Sequence, residues 1–228
     1  MTAGTTLRLT VAGSGERLPV RPERLVVAGY TAADEASVAR HIEELAAIGV
    51  PPPPAVPMFY PLDPDLLSTD ARIDVPGPAT SGEVEPVLIR HRGSYFLEVG
   101  SDHTDRVIER HDIAASKAAC PKPVGGSVLE IGPDLSFPEW HEVQASCAVD
   151  GQPYQEGAVS SLRHPADLLE RMTATVGDTA GDLVMFCGTL ALLGGTFVHG
   201  DSWSLSLGPA AGTRLTHTYT TTTMRESA

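Results

Sequence analysis

Glu83 and Glu85 stand two apart in SGEVEPVLIR, directly before the apolar run Val87-Leu88-Ile89. In an extended chain, residues two apart project to the same side, so an E-x-E pair on a strand delivers two carboxylates to one face. Alone, such a pair is more often solvated surface than a site. Asp102 changes that balance. It lies seventeen residues beyond Glu85 in GSDHTDR, just past a second strand-like run from Tyr95 to Val99. A hairpin joining the two runs brings all three carboxylates together, and three clustered oxygen donors suit a hard cation such as Mg²⁺, Mn²⁺ or Ca²⁺. Upstream, His41 and Glu44 are three apart in TAADEASVARHIEELAAIG and so share a helix face. In isolation that pair, too, is more often an ordinary solvated or packed one.

The elements that must position these groups follow from periodicity and punctuation. Twenty-two glycines and nineteen prolines favour many short strands over long helices. Residues 7–11 (LRLTV) alternate apolar and polar, Gly13-Ser14-Gly15 supplies a turn, and Leu25 to Ala28 forms another short apolar run, which reads as a small N-terminal sheet. From Thr31 to Gly49 the period becomes helical. Thr31 is placed as the cap, Asp34 and Glu35 fall in the first turn, Val38, Ile42 and Leu45 form a stripe, and Gly49 is the stop. Pro51 to Pro54 then form an extended strap, so this helix reads as a movable cover.

Further strands are expected at 87–89, 95–99, 128–131, 183–187, 202–207 and 213–222, the last as an edge strand fading into a tail. VQASCAVDGQPYQEGAV reads as a hairpin turned at Asp150-Gly151 in a type I′ turn. Two more helices are expected, one near 105–117 and one from Pro165 to a stop at Gly177.

Composition narrows the function classes. The 228 residues carry 29 acidic and 16 basic side chains, a formal net charge of -13, and no run of Lys or Arg makes a basic stripe. Such a surface repels phosphate backbones and anionic lipid, which argues against nucleic-acid and membrane partners. The uncharged stretch from Leu183 to Val198 is short for a membrane span and is broken by Gly188, Gly194 and Gly195. Cys120, Cys147 and Cys187 are odd in number and widely spaced, which fits structural thiols in a reducing compartment, and a cytoplasmic location is expected. The eight histidines show no HExxH spacing, and there is no CxxC, so zinc is not expected.

The order of these motifs resembles that of the fumarylacetoacetate hydrolase (FAH) family over most of the chain. Glu83 and Glu85 match the family's E-x-E metal ligands, Asp102 in SDHTDR matches the third ligand with Arg106 nearby, and Lys117 in SKAACPKP matches the family lysine. Asp150-Gly151-Gln152 resembles the NGE hairpin, and Gly181-Asp182 the GD before the central strand. Cys187-Gly188-Thr189-Leu190 resembles the TGTP loop, and Gly200-Asp201 the final GD. His41 and Glu44 match the HxxE of the smaller members. The chain departs from the pattern in a short interval between Glu85 and Asp102, in the absence of a lysine from PMFYP, and in CGTL, which lacks the first Thr and the Pro of TGTP.

The resemblance implies a mixed α/β, β-rich, FAH-like fold with a rolled β-sheet core. Residues 1–60 would form a small β subdomain carrying the lid helix (31–49), and 61–228 the catalytic domain. It also implies a metal-dependent hydrolase that cleaves a carbon-carbon bond in small anionic 1,3-dicarbonyl or acylpyruvate-like keto acids through an enolate. Glu83, Glu85 and Asp102 would hold Mg²⁺ or Mn²⁺. His41, oriented by Glu44, would activate water, and Lys117 and Arg106 would neutralise negative charge. Gly188 and Thr189 would hold the substrate carboxylate, and a second copy of the chain would complete a homodimer. A decarboxylase, tautomerase or sugar-acid dehydratase on the same scaffold, and a non-catalytic binding protein that keeps the fold, are the alternatives.

Overall fold

The computed structural model describes residues 4–47, 52–135, 138–178 and 180–224. In chain order, β1 (Leu7–Val11), β2 (Arg17–Val20) and β3 (Pro22–Gly29) precede α1 (Glu35–Ala47). Next come β4 (Met58–Leu62), β5 (Leu67–Ser68), β6 (Arg72–Val75), β7 (Thr80–Ser81), β8 (Val84–His91), β9 (Ser94–Ser101) and β10 (Thr104–Asp105). Two short helices, α2 (Arg106–Glu109) and α3 (Ile113–Ala118), lead to β11 (Lys122–Pro123), β12 (Ser127–Gly132), β13 (Val143–Val149) and β14 (Gln152–Ala158). α4 (Pro165–Val176), β15 (Asp182–Phe186), β16 (Ser202–Pro209) and β17 (Leu215–Thr223) complete the chain.

Two sheets dominate. One has eight strands in the order β2-β1-β12-β9-β8-β15-β3-β4, the other five in the order β14-β13-β16-β17-β6. The central strands of the larger sheet are buried on both faces, which explains why β8 and β15 read as continuous apolar runs. Val84, Leu88, Leu183 and Met185 face the core shared with the five-stranded sheet, where Val143, Leu205, Leu207 and Tyr219 meet them. Val87, Ile89, Val184 and Phe186 face the opposite way, into a second cluster with Leu7, Leu9, Leu25 and Val27. The division expected at residue 60 falls inside β4, a strand of the larger sheet. Among the described residues, no helix is long and apolar enough to cross a membrane.

Most of the expected elements are present, with three differences. Asp34, whose carboxylate accepts from the Ala36 N–H, sits at the start of α1 instead of Thr31. The helix expected over 105–117 is broken in two, because Asp112 caps a fresh helix at the Ala115 N–H. β17 is not an edge strand: it lies between β16 and a parallel partner, β6, that periodicity did not reveal. Residues 48–51, including the expected stop at Gly49, lie outside the described residues. The turn at Asp150-Gly151 has positive φ at both residues, 49° and 79°, as a type I′ turn requires.

Candidate functional site

β8 and β9 form a two-residue hairpin turned at Arg92-Gly93, again with both φ values positive. Its register pairs Val84 with Ser101 and Glu85 with Gly100. The Asp102 N–H donates to the Glu83 carbonyl at 3.0 Å, which extends the pairing by one residue. Side-chain alternation therefore gathers Glu83, Glu85 and Asp102 at one end of the hairpin.

Each carboxylate has its own protein partner. Glu83 Oε2 lies 2.9 Å from Arg106 Nη2. Glu85 Oε2 accepts the Gly188 N–H at 2.7 Å. Asp102 takes a lysine on each oxygen: Lys117 Nζ contacts Oδ2, and Lys122 Nζ lies 3.1 Å from Oδ1. Lys122 also donates to the His103 carbonyl. With these contacts in place, no group of three His, Cys, Asp or Glu side chains among the described residues converges as a ready coordination sphere.

The electrostatics follow from burial and neighbours. Burial, followed by the Asp102 charge, drives the Glu85 carboxyl well above the usual carboxylate range. Burial pushes Asp102 the same way, but its two lysines outweigh it and hold that carboxyl low. Burial would lower Lys117, yet Asp102, Glu83 and Glu85 together keep its ammonium charged. Glu85 and Asp102 are thus two buried carboxyls that repel one another at the end of a hairpin, with an ammonium drawn in beside them; oxygen donors are the ligand type that a hard divalent cation takes.

The remaining expected residues are placed as follows. Arg106 spends its guanidinium within the protein: Nε donates to Ser81 Oγ at 2.6 Å, Nη1 to both Glu109 oxygens at 2.9 Å, and the group stacks 3.7 Å over the Phe197 ring. It therefore fixes Glu83 and is not turned toward a ligand. Gly188 has φ +100°, and a Cβ there would fall 1.7 Å from Thr31 Oγ1, so only glycine lets this N–H reach Glu85. Thr189 Oγ1 donates to the Val84 carbonyl at 3.0 Å and accepts from Gln155 Nε2 at 2.8 Å. His41 and Glu44 belong to α1, but their side chains lie outside the described residues. Cys120 is buried and its thiol is pushed up to about 12 by that burial, as a structural thiol would be.

Three contributors were not singled out in the sequence. Lys122 hides in CPKP, five residues after the lysine that drew attention, with nothing local to mark it. Gln155 is buried, accepts the Val84 N–H and donates to Thr189 and Leu190, tying β8 to the 187–190 loop. Tyr60 presents its ring 5.7 Å from Lys117 Nζ, and its phenol is raised to about 12, chiefly by burial. A cleft of about 200 Å³ opens beside it, lined by Pro52, Pro53, Pro54, Tyr60, Glu109 and Asp112 among others. A hollow of about 280 Å³ lined by Asp150, His199 and Asp201 contains none of these site residues.

A family model described as "Protein of unknown function (DUF2848)" matches residues 28–219. The chain belongs to DUF2848. No curated protein matches it. Among solved structures, this DUF2848 chain is similar to fumarylpyruvate hydrolase from Pseudomonas aeruginosa in complex with Mn²⁺ and pyruvate. The identity is 17% and the TM-score 0.66, over 98% of this chain and 99% of that one. It is also similar to 5-carboxymethyl-2-hydroxymuconate delta-isomerase from Mycobacterium smegmatis, with 20% identity and a TM-score of 0.64, over 91% of this chain and 82% of that one. At these identities the likeness shows the fold: DUF2848 has the β-rich architecture of the FAH family.

Proposed function

We propose that this protein is a divalent-metal-dependent hydrolase of small anionic 2-keto acids with a 1,3-dicarbonyl or acylpyruvate-like skeleton. The observation that carries this is the β8–β9 hairpin, which sets Glu83, Glu85 and Asp102 together in a buried, lysine-flanked site. The similarity to a fumarylpyruvate hydrolase that binds Mn²⁺ and pyruvate supports the same chemistry.

Glu83, Glu85 and Asp102 would hold Mg²⁺ or Mn²⁺, which when bound supplies a Lewis acid to the keto-acid oxygens. The protein's own residues do the rest. Arg106 aims Glu83, the Gly188 N–H aims Glu85, and Lys122 aims Asp102. Lys117 would offer its ammonium to the substrate's carboxylate or to charge developing on oxygen. His41, oriented by Glu44 one turn along α1, would take a proton from the attacking water. The proline strap and α1 would close over the cleft and exclude solvent.

Incubating the Mg²⁺-loaded protein with a panel of acylpyruvates in ¹⁸O-labelled water tests this directly. Cleavage should give pyruvate and a carboxylate carrying one label. Turnover with no carbon-carbon bond broken would instead favour an isomerase or tautomerase, and release of CO₂ without a labelled acyl carboxylate a decarboxylase; the similarity to the M. smegmatis isomerase supports the first of these as a second reading.

A further inference from the structure

The two lysines on Asp102 are not equivalent. Lys122 is fully buried, sits between Pro121 and Pro123, and belongs to β11, which pairs with β5. Its ammonium has a second anchor in the His103 carbonyl, and Thr104 Oγ1 also approaches Asp102 Oδ1 at 3.4 Å. Oδ1 is thus held by a fully buried ammonium that is itself anchored on the neighbouring backbone. Lys117 lies in the last turn of a six-residue helix, its side chain is 9% exposed against 0% for Lys122, and the Tyr60 ring beside it offers its ammonium another resting place.

We infer that Lys117 is a placeholder for the metal: its ammonium, which rests on Asp102 Oδ2, is displaced from it on metal binding, while Lys122 stays on Oδ1 and keeps the carboxylate oriented. Metal loading is then a cation exchange at one oxygen, and the released ammonium becomes available to the substrate. This rests on the metal assignment made under the proposed function.

Mn²⁺ titration of the full chain, followed by the electron paramagnetic resonance signal of free Mn²⁺, separates the possibilities. Lys117→Met should bind Mn²⁺ about tenfold tighter, since a competing charge is gone. Lys122→Met should bind it ~10–100-fold more weakly, as when a residue supporting a metal ligand is lost. Each variant removes one positive charge, so general electrostatics would shift both in the same direction, and opposite signs are what exchange requires. If Lys122→Met does not fold, labelling of the wild-type protein with acetic anhydride, read by mass spectrometry, is the second measurement. Mn²⁺ should raise the labelling of Lys117 several-fold relative to Lys122. Weaker Mn²⁺ binding by Lys117→Met, or labelling of Lys117 that is unchanged or reduced by Mn²⁺, overturns the exchange while leaving the metal site standing. If neither wild type nor Lys117→Met binds Mn²⁺, the metal assignment fails and takes the exchange with it.

Discussion

Glu98 and Asp102 stand four residues apart along one hairpin arm, both sealed from solvent, yet they are provided for in opposite ways. Asp102 has a lysine on each oxygen. Glu98 has no hydrogen-bond partner on either oxygen among the described residues, and burial alone drives its carboxyl well above the usual range. Glu85 lies between them, with the Gly188 N–H as its donor. Glu85, with one donor, and Glu98, with none, are both driven up by burial, whereas Asp102, with a lysine on each oxygen, is held low. Burial of an acid therefore does not mark a site in this molecule. What distinguishes the candidate site from Glu98 is that lysines have been buried with its acids.

Removing charge where it is paired should have the largest effect. Asp102→Asn keeps the shape but strands two buried ammonium groups, and urea unfolding should show a loss of about 3–5 kcal/mol, with Mn²⁺ binding abolished. A loss below the effect of an ordinary surface substitution would mean the two lysines do not depend on Asp102. Gly188→Ala comes next. Its Cβ meets Thr31 and its φ lies in the left-handed region, so a destabilisation of about 1–3 kcal/mol is expected, together with weaker Mn²⁺ binding as Glu85 loses its donor. Unchanged metal affinity in a folded variant would separate Glu85 from the site.

Glu98→Gln should act in the opposite direction, stabilising the protein by an amount that depends on pH. Because the folded-state pKa of Glu98 is raised, its contribution is intact below the unfolded value near 4.5 and is lost as pH rises toward the folded value. Wild-type stability should carry a penalty that grows by up to about 1.4 kcal/mol per pH unit across that window. Glu98→Gln removes the penalty, so its advantage in thermal unfolding should be small at pH 5 and larger at pH 8. Parallel stability curves for the two proteins would show that Glu98 is not held neutral.

Local signals accounted for a good part of this arrangement. The i, i+2 spacing of Glu83 and Glu85 and the strand-like run before Asp102 were enough to place three carboxylates at one hairpin end, since register follows from a two-residue turn. Pro165 and Gly177 bracketed α4 for the same kind of reason. What stayed hidden depends on contacts between distant segments. β6 is four residues long and is defined by its pairing with β17 some 150 positions away. Lys122 reaches Asp102 because β11 docks on β5, and Arg106 turns to Glu109 because α2 places them three apart, a short-range partner that its nearness to Asp102 in the sequence masked. Gln155 joins β8 to the 187–190 loop across three separate stretches of chain. None of these side chains carries a local pattern to announce it, because long side chains choose partners in space.

The central claim is that a divalent cation belongs at the end of the β8–β9 hairpin. Crystals grown with Mn²⁺ and pyruvate, measured at the manganese absorption edge, test it most directly. One anomalous peak is expected, bonded to oxygens of Glu83, Glu85 and Asp102, with Lys117 withdrawn from Asp102 and Lys122 still in contact with it. Mn²⁺ and pyruvate bound elsewhere, or no peak at the hairpin end with Lys117 still on Asp102, would contradict it.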